Sequence, residues 1–124
     1  MIRLIDIDQD YNTIVSWWKH YNYPIIPKES LSTTGFMIND IFAVWVYLTN
    51  SNICYIENAI KDPVKELSDE VMCRLFDFIK EFCLSQGHTN IMTFSLNIKF
   101  IERLKSLGFI CSEKQVFVLN SEVR

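Results

Sequence analysis

Apolar and polar residues alternate through positions 2–7 (Ile-Arg-Leu-Ile-Asp-Ile), the period of a strand with one buried face. Beyond Asp8 or Asp10, either of which can cap a helix, Tyr11, Ile14, Val15, Trp18 and Tyr21 recur at helical spacing. Pro24 and Pro27 stop that helix and open a loop, which the polar run at 30–34 continues. Residues 35–38 and 41–48 read as strands joined by Asn39-Asp40, a two-residue connection that accepts positive φ. A second turn at 49–52 leads to a third strand at 53–60, completing an antiparallel meander.

Residues 61–67 form a charged loop containing Pro63. Ser68 is a good N-cap, Asp69 and Glu70 suit the first turn of a helix, and Leu67 and Met72 stand at the spacing of a hydrophobic staple. Val71, Leu75, Phe78, Ile79 and Phe82 predict the apolar face of this helix, and Gly87 its stop. A strand at 91–96, a helix at 98–107 ending at Gly108, and strands at 109–111 and 115–119 follow. The order β-α-βββ-α-β-α-ββ predicts a single α/β domain, 1–124, with a mixed central sheet and helices on both faces. Strands 53–60 and 91–96 should lie side by side in parallel, with the intervening helix as a right-handed crossover.

Seventeen aromatics supply a core at this length, so disorder is excluded. The net charge of −3 comes without a basic stripe, which argues against nucleic acid and for a protein or a small molecule as partner. Cys54, Cys73, Cys83 and Cys111 each lie in an apolar run and show no CxxC spacing, so we read them as buried reduced thiols. With His20 and His88, read as surface or capping residues, they make no metal set. Reduced thiols, no apolar signal region and no membrane-length run predict a cytoplasmic protein.

Two local features go further. In residues 91–109 a strand is followed by Asn97, ten helical residues and Gly108-Phe109. This unit and the element order resemble the GNAT (N-acetyltransferase) superfamily over nearly the whole chain. The resemblance implies acyl transfer from acetyl-CoA to a protein or small-molecule amine. It places the cofactor between strand 53–60 and strand 91–96, with Ile56, Asn58, Ser68 and Asn97 as binding residues. It also implies a base on strand 53–60, where Glu57 stands among apolar neighbours; the other reading of Glu57 is the solvent side of an alternating strand, with Asn58 on the opposite face. Short chains of this style also resemble small GNAT-like proteins of bacteriophages, which implies modification of a target or inhibition of a host protein.

The sequence departs from the family twice. Residues 61–70 contain no Gly, lose a donor at Pro63 and carry four carboxylates against two lysines, a poor cradle for a diphosphate. Where the family often keeps a tyrosine acid, seven residues after the Asn, this chain has Leu104. Tyr55 is the candidate substitute, and plain packing is its other reading. Acetyl-CoA binding is therefore expected to be weak, with Kd on the order of millimolar. The second functional reading is a non-catalytic GNAT-fold module that binds a protein through Trp17, Trp18, Tyr21 and Tyr23. Adjacent helical residues point about 100° apart, so one tryptophan of the pair is expected at a surface.

Overall fold

In the computed structural model, which describes residues 1–95 and 97–111, β1 is Ile2–Leu4 and α1 is Ile7–His20. Asp6, not Asp8 or Asp10, caps α1: its carboxylate accepts the Asp8 N–H. Arg3 bridges Asp10 and Asp40, each at 2.8 Å, and so ties β1 to α1 and to the next turn. These bonds hold the Asp10 carboxyl below the usual carboxylate range.

The meander follows as β2 (Gly35–Ile38), β3 (Phe42–Leu48) and β4 (Ile53–Lys61). Asn39 and Asp40 both take positive φ, 53° and 54°, the conformation that a tight hairpin demands. A Cβ on Gly35 would lie 2.7 Å from Cδ1 of Trp45, so only glycine lets that indole cover β2. α2 (Asp69–Ser85) crosses over to β5 (Asn90–Thr93), and α3 (Ile98–Ser106) ends at Gly108, φ 98°. The strand order is β1-β2-β3-β4-β5, antiparallel except for the parallel pair β4–β5. Among the described residues, 109–111 carry no strand, and the strand expected at 115–119 lies outside the described residues.

Helices cover both faces. Ile14, Trp17 and Trp18 of α1 pack on Met37, Ala43, Trp45 and Ile60. Met72, Leu75, Phe76, Ile79 and Cys83 of α2, with Leu104 of α3, pack on the other face against Phe36, Phe42, Val44 and Ile56. The buried stripe of α2 is thus turned from the one its sequence suggests. Phe78 is exposed and meets Phe36 edge-on, while Met72 and Cys83 are core. Two apolar stripes share Leu75 and Ile79, and the sheet decides between them. The same rotation exposes Cys73, and Cys111 is exposed as well, so only Cys54 and Cys83 are the buried thiols expected of all four. Burial pushes the Cys83 thiol up to about 12. His88 is also core, its Nε2 2.9 Å from the Thr49 carbonyl oxygen.

β4 carries an irregularity in its pairing with β3. Trp45 pairs with Glu57 but Ala43 with Ile60, so β4 carries an extra residue at this point. Asn58 absorbs it with φ 63°. The face assignment flips there: Cys54 and Ile56 face α2, whereas Ile60 faces α1 and Ala59 packs toward α2. Strict alternation would have kept 54, 56 and 60 together.

Candidate functional site

β4 and β5 stay paired from Ile53↔Asn90 to Ile56↔Thr93 and then part. β5 ends at Thr93, while β4 runs on to Lys61. Among the described residues, no strand pairs with the β5-side edge of Glu57–Lys61. The bulge at Asn58 twists β4 at the same point, and a cleft of ≈ 670 Å³ opens between the strands. Its walls are the free edge of β4, Thr93–Ser95, the α3 residues Phe100 and Arg103, and Tyr21 and Tyr23 beyond α1.

Glu57 sits where the strands part and lines the cleft. Its Oε1 is buried without a hydrogen-bond partner. Burial raises its pKa, and the Phe94 backbone N–H offsets this in part. It is therefore not the solvent-side residue of an alternating strand. Asn58 does not take the opposite face either. Its amide donates to the Tyr47 hydroxyl at 2.7 Å, and it lines the same cleft as Glu57. The Tyr47 hydroxyl in turn donates to the Ser30 carbonyl at 3.2 Å.

The other expected site residues are distributed unevenly. Asn97 lines the cleft and caps α3, accepting the Phe100 N–H at 3.0 Å. Ser68 caps α2 through the Val71 N–H and lies outside the cleft lining. The Ile56 side chain is core, and its backbone is in register with Thr93. Tyr55 stacks on Phe94 with ring centroids 6.1 Å apart and does not line the cleft. Leu104 is buried beneath α3. Both Trp17 and Trp18 are core, at 5% and 2% exposure, so the expectation of an exposed tryptophan fails. Trp18 lies on Trp45 and meets Tyr11 edge-on, and the α1 face is wide enough to take both indoles. Tyr21 and Tyr23 stack on each other, centroids 5.3 Å apart, and face the cleft. Burial raises the Tyr21 pKa, as do Tyr23 and Asp62.

The loop between β4 and α2 is closed on itself. Lys61 Nζ donates to the carbonyls of Asp62 and Lys65. Asp62 accepts the Val64 N–H at 2.9 Å. From α3, Arg103 donates to the Leu67 carbonyl at 2.9 Å and pairs with Asp69 at 3.5 Å. Glu66 faces the cleft.

Solved structures share this fold. A Trypanosoma brucei acetyltransferase superposes with a TM-score of 0.66 at 14% identity, over 97% of this chain and 99% of that one. A predicted acetyltransferase from Clostridium acetobutylicum, solved with acetyl-CoA, gives 0.65 at 14% identity, over 96% and 95%. The chain has the GNAT-type acetyltransferase fold. No protein-family model matches the chain, and no curated protein matches it in sequence.

Within the GNAT fold, two cleft residues, Arg103 and Phe94, and Tyr47, which holds the cleft residue Asn58, escape sequence reasoning. Arg103 reads as an ordinary helix-surface cation until α3 is docked over the loop. Tyr47 becomes visible only through register, since Tyr47 pairs with Tyr55 across β3–β4. Phe94 lies just past the end of β5, where periodicity gives no face. No group of three or more His, Cys, Asp or Glu among the described residues is arranged to hold a metal, and no helix among them is long and apolar enough to cross a membrane.

Proposed function

We propose that the protein is an acyltransferase that moves an acyl group, acetyl in the first instance, from a thioester donor such as acetyl-CoA to an amine. The observation that carries this reading is Glu57: a half-buried carboxylate with an unpartnered oxygen and a raised pKa, standing where two parallel strands separate. Perturbed carboxylates in clefts are suited to proton transfer near neutral pH.

The free edge of β4 suits the donor's pantetheine arm, because unpaired backbone N–H and C=O groups can pair with its amides. One of these N–H groups would also serve the thioester oxygen as charge builds on it. Glu57 would take the proton of the attacking amine, directly or through one water. The amine nitrogen bonds to the acyl carbon, the C–S bond breaks, and the thiolate leaves with the electron pair. Thiols ionise near pH 8.5, so the thiolate can depart and take its proton from water without a side-chain acid at Leu104. Tyr21 and Tyr23 would form the acceptor wall.

The residues of the following loop suit the diphosphate of acetyl-CoA poorly, so the donor is expected to bind weakly, with Kd on the order of millimolar. The test is acyl transfer from acetyl-CoA to a panel of amines. Glu57→Gln should lower the rate by about 10²–10⁴-fold. No transfer to any amine, or a rate that ignores this substitution, would remove the reading or Glu57's place in it.

A further inference from the structure

We infer that the acceptor is an arylalkylamine, an amine joined by a short alkyl link to a planar aromatic ring and carrying no carboxylate, because an aromatic shelf leads to Glu57 along one face of the sheet. This deepens the acyltransferase reading and rests on it.

Strand register builds the shelf. Tyr47, Tyr55 and Met92 are paired in one row across β3, β4 and β5. Residues paired across neighbouring strands point to the same face, and Tyr47 packs with the α1 core, so the row lies on the α1 side. Glu57 is paired with Trp45, a member of that core, and points the same way. α1 covers Met37, Ala43, Trp45 and Ile60 and leaves the β5 end of the row open, where Met92 and Phe94 are exposed.

Phe94 joins this row to the carboxylate. Its ring lies nearly parallel to that of Tyr55, at 19°, with centroids 6.1 Å apart, and its backbone N–H donates to Glu57. Tyr55 and Glu57 are neighbours on one strand face, roughly 7 Å apart. An ammonium at the unpartnered Glu57 oxygen therefore has the rings within reach of its substituent, and a two-carbon link lays an aromatic ring on them.

Charge narrows the class further. The cleft cations Lys99 and Arg103 stand on α3, which packs on the opposite face through Leu104. The Lys61 ammonium is held by the Asp62 and Lys65 carbonyls. A carboxylate next to the acceptor's amine would thus lie beside Glu57 with no cation in the row to meet it. A second ammonium at the far end would have to shed water onto Phe94 and Met92, where a ring gains both burial and stacking.

The experiment measures transfer from about 10 mM acetyl-CoA, enough to load a millimolar site, to four amines. These are 2-phenylethylamine, 2-cyclohexylethylamine, phenylalanine and 1,4-diaminobutane. The expected kcat/KM is highest for 2-phenylethylamine. It should exceed that of the cyclohexyl amine, similar in bulk but unable to stack, by about threefold or more. It should exceed those of phenylalanine and the diamine by about tenfold or more. Phe94→Leu should raise the KM for 2-phenylethylamine about threefold or more, hold kcat within about twofold, and erase the advantage over the cyclohexyl amine. Phenylalanine or the diamine as the better substrate, or an unchanged KM in Phe94→Leu, would overturn the inference and leave the acyltransferase reading standing. If none of the four is acetylated while another amine is, the inference falls alone. If no amine is acetylated, the acyltransferase reading falls with it.

Discussion

The side-chain amide of Asn58 reaches across from β4 to the Tyr47 hydroxyl on β3, at 2.7 Å, while its own backbone sits at φ 63°. One residue thus supplies both the left-handed conformation of the bulge and a bond that fixes it. Asn58→Gly keeps the conformation and loses the bond, which should cost about 1 kcal/mol. Asn58→Val loses both, and the strained backbone should add about 1–3 kcal/mol. Urea denaturation of the two variants measures the difference, and equal losses would mean that the bulge does not depend on Asn58.

Glu57 is held above the usual carboxylate range by burial. In the proposed role of base it would work ionised, so the acyl-transfer rate should fall as pH drops through this raised pKa. The fall should come at higher pH than for an ordinary glutamate. Stability runs the other way. A raised folded-state pKa means that stability is fully present below the unfolded value and declines as pH rises through the folded one. Glu57→Gln should therefore raise Tm relative to wild type at pH 7, and the gain should vanish once the pH lies well below the ordinary glutamate pKa of about 4.3, at about pH 3, where the carboxyl is protonated in both states. Calorimetry at the two pH values checks the sign.

Asp10 makes the opposite case. Its carboxyl is held down first by the hydrogen bonds from Arg3 and next by the Asp6 backbone N–H. That stability is present above the unfolded pKa and is lost as pH falls through the lowered folded one. Asp10→Asn should be less stable than wild type at pH 7, and the gap should close only under strongly acidic conditions. Arg3→Gln should show the same pattern, since it removes the same bonds. Thermal melts from pH 7 to pH 2 test both.

Trp18 and Tyr23 lie only five positions apart and should respond in unlike ways. Trp18→Ala empties a core site against Trp45 and should cost about 3–5 kcal/mol. Tyr23→Ala removes a rim residue that is 43% exposed and should change stability by less than about 1 kcal/mol, while weakening acceptor binding. A large stability loss at Tyr23 would remove it from the acceptor wall.

Thiol chemistry reports on the α2 face. Cys73 is exposed, whereas Cys54 and Cys83 are buried with sulfurs 3.0 Å apart. The Cys83 thiol, pushed up to about 12, stays protonated and unreactive at pH 8. A maleimide should label Cys73 in the native protein and reach Cys54 and Cys83 only after unfolding. Native labelling of Cys83 would mean that α2 packs on the stripe through Phe78 after all.

The sequence was legible where one signal acts locally. Ser68 caps the helix expected of it, Asn39-Asp40 turns the hairpin, and Gly108 takes the left-handed conformation after α3. The parallel β4–β5 pair followed from the crossover rule. Legibility ended where two local patterns compete and tertiary packing decides. The α2 face was ambiguous between stripes sharing Leu75 and Ile79. Trp17 and Trp18 seemed too far apart in angle for one core because the width of the opposing sheet is not written in α1. Glu57 was named for its apolar surroundings, yet its placement beside Asn58 depends on a bulge that breaks the alternation used to assign faces. Arg103 and Tyr47 act through contacts with Leu67 and Asn58, 36 and 11 residues away in the chain, which no local pattern carries.

The strand order has a consequence for how the chain assembles. β1 through β4 stand in the sheet in the order they occur in the sequence, and β2–β4 are joined by short turns, so this meander closes small loops and can form early. β5 must wait for α2 to fold and dock, because a parallel pairing requires the whole crossover. The cleft lies along that last seam. Its two walls therefore belong to segments that become ordered at different times, and amide hydrogen exchange should find β5 and α3 opening at lower free energy than β3. The β4–β5 junction then sits at the boundary between a stable meander and a more easily opened flank, so the strands can part there without unfolding the rest.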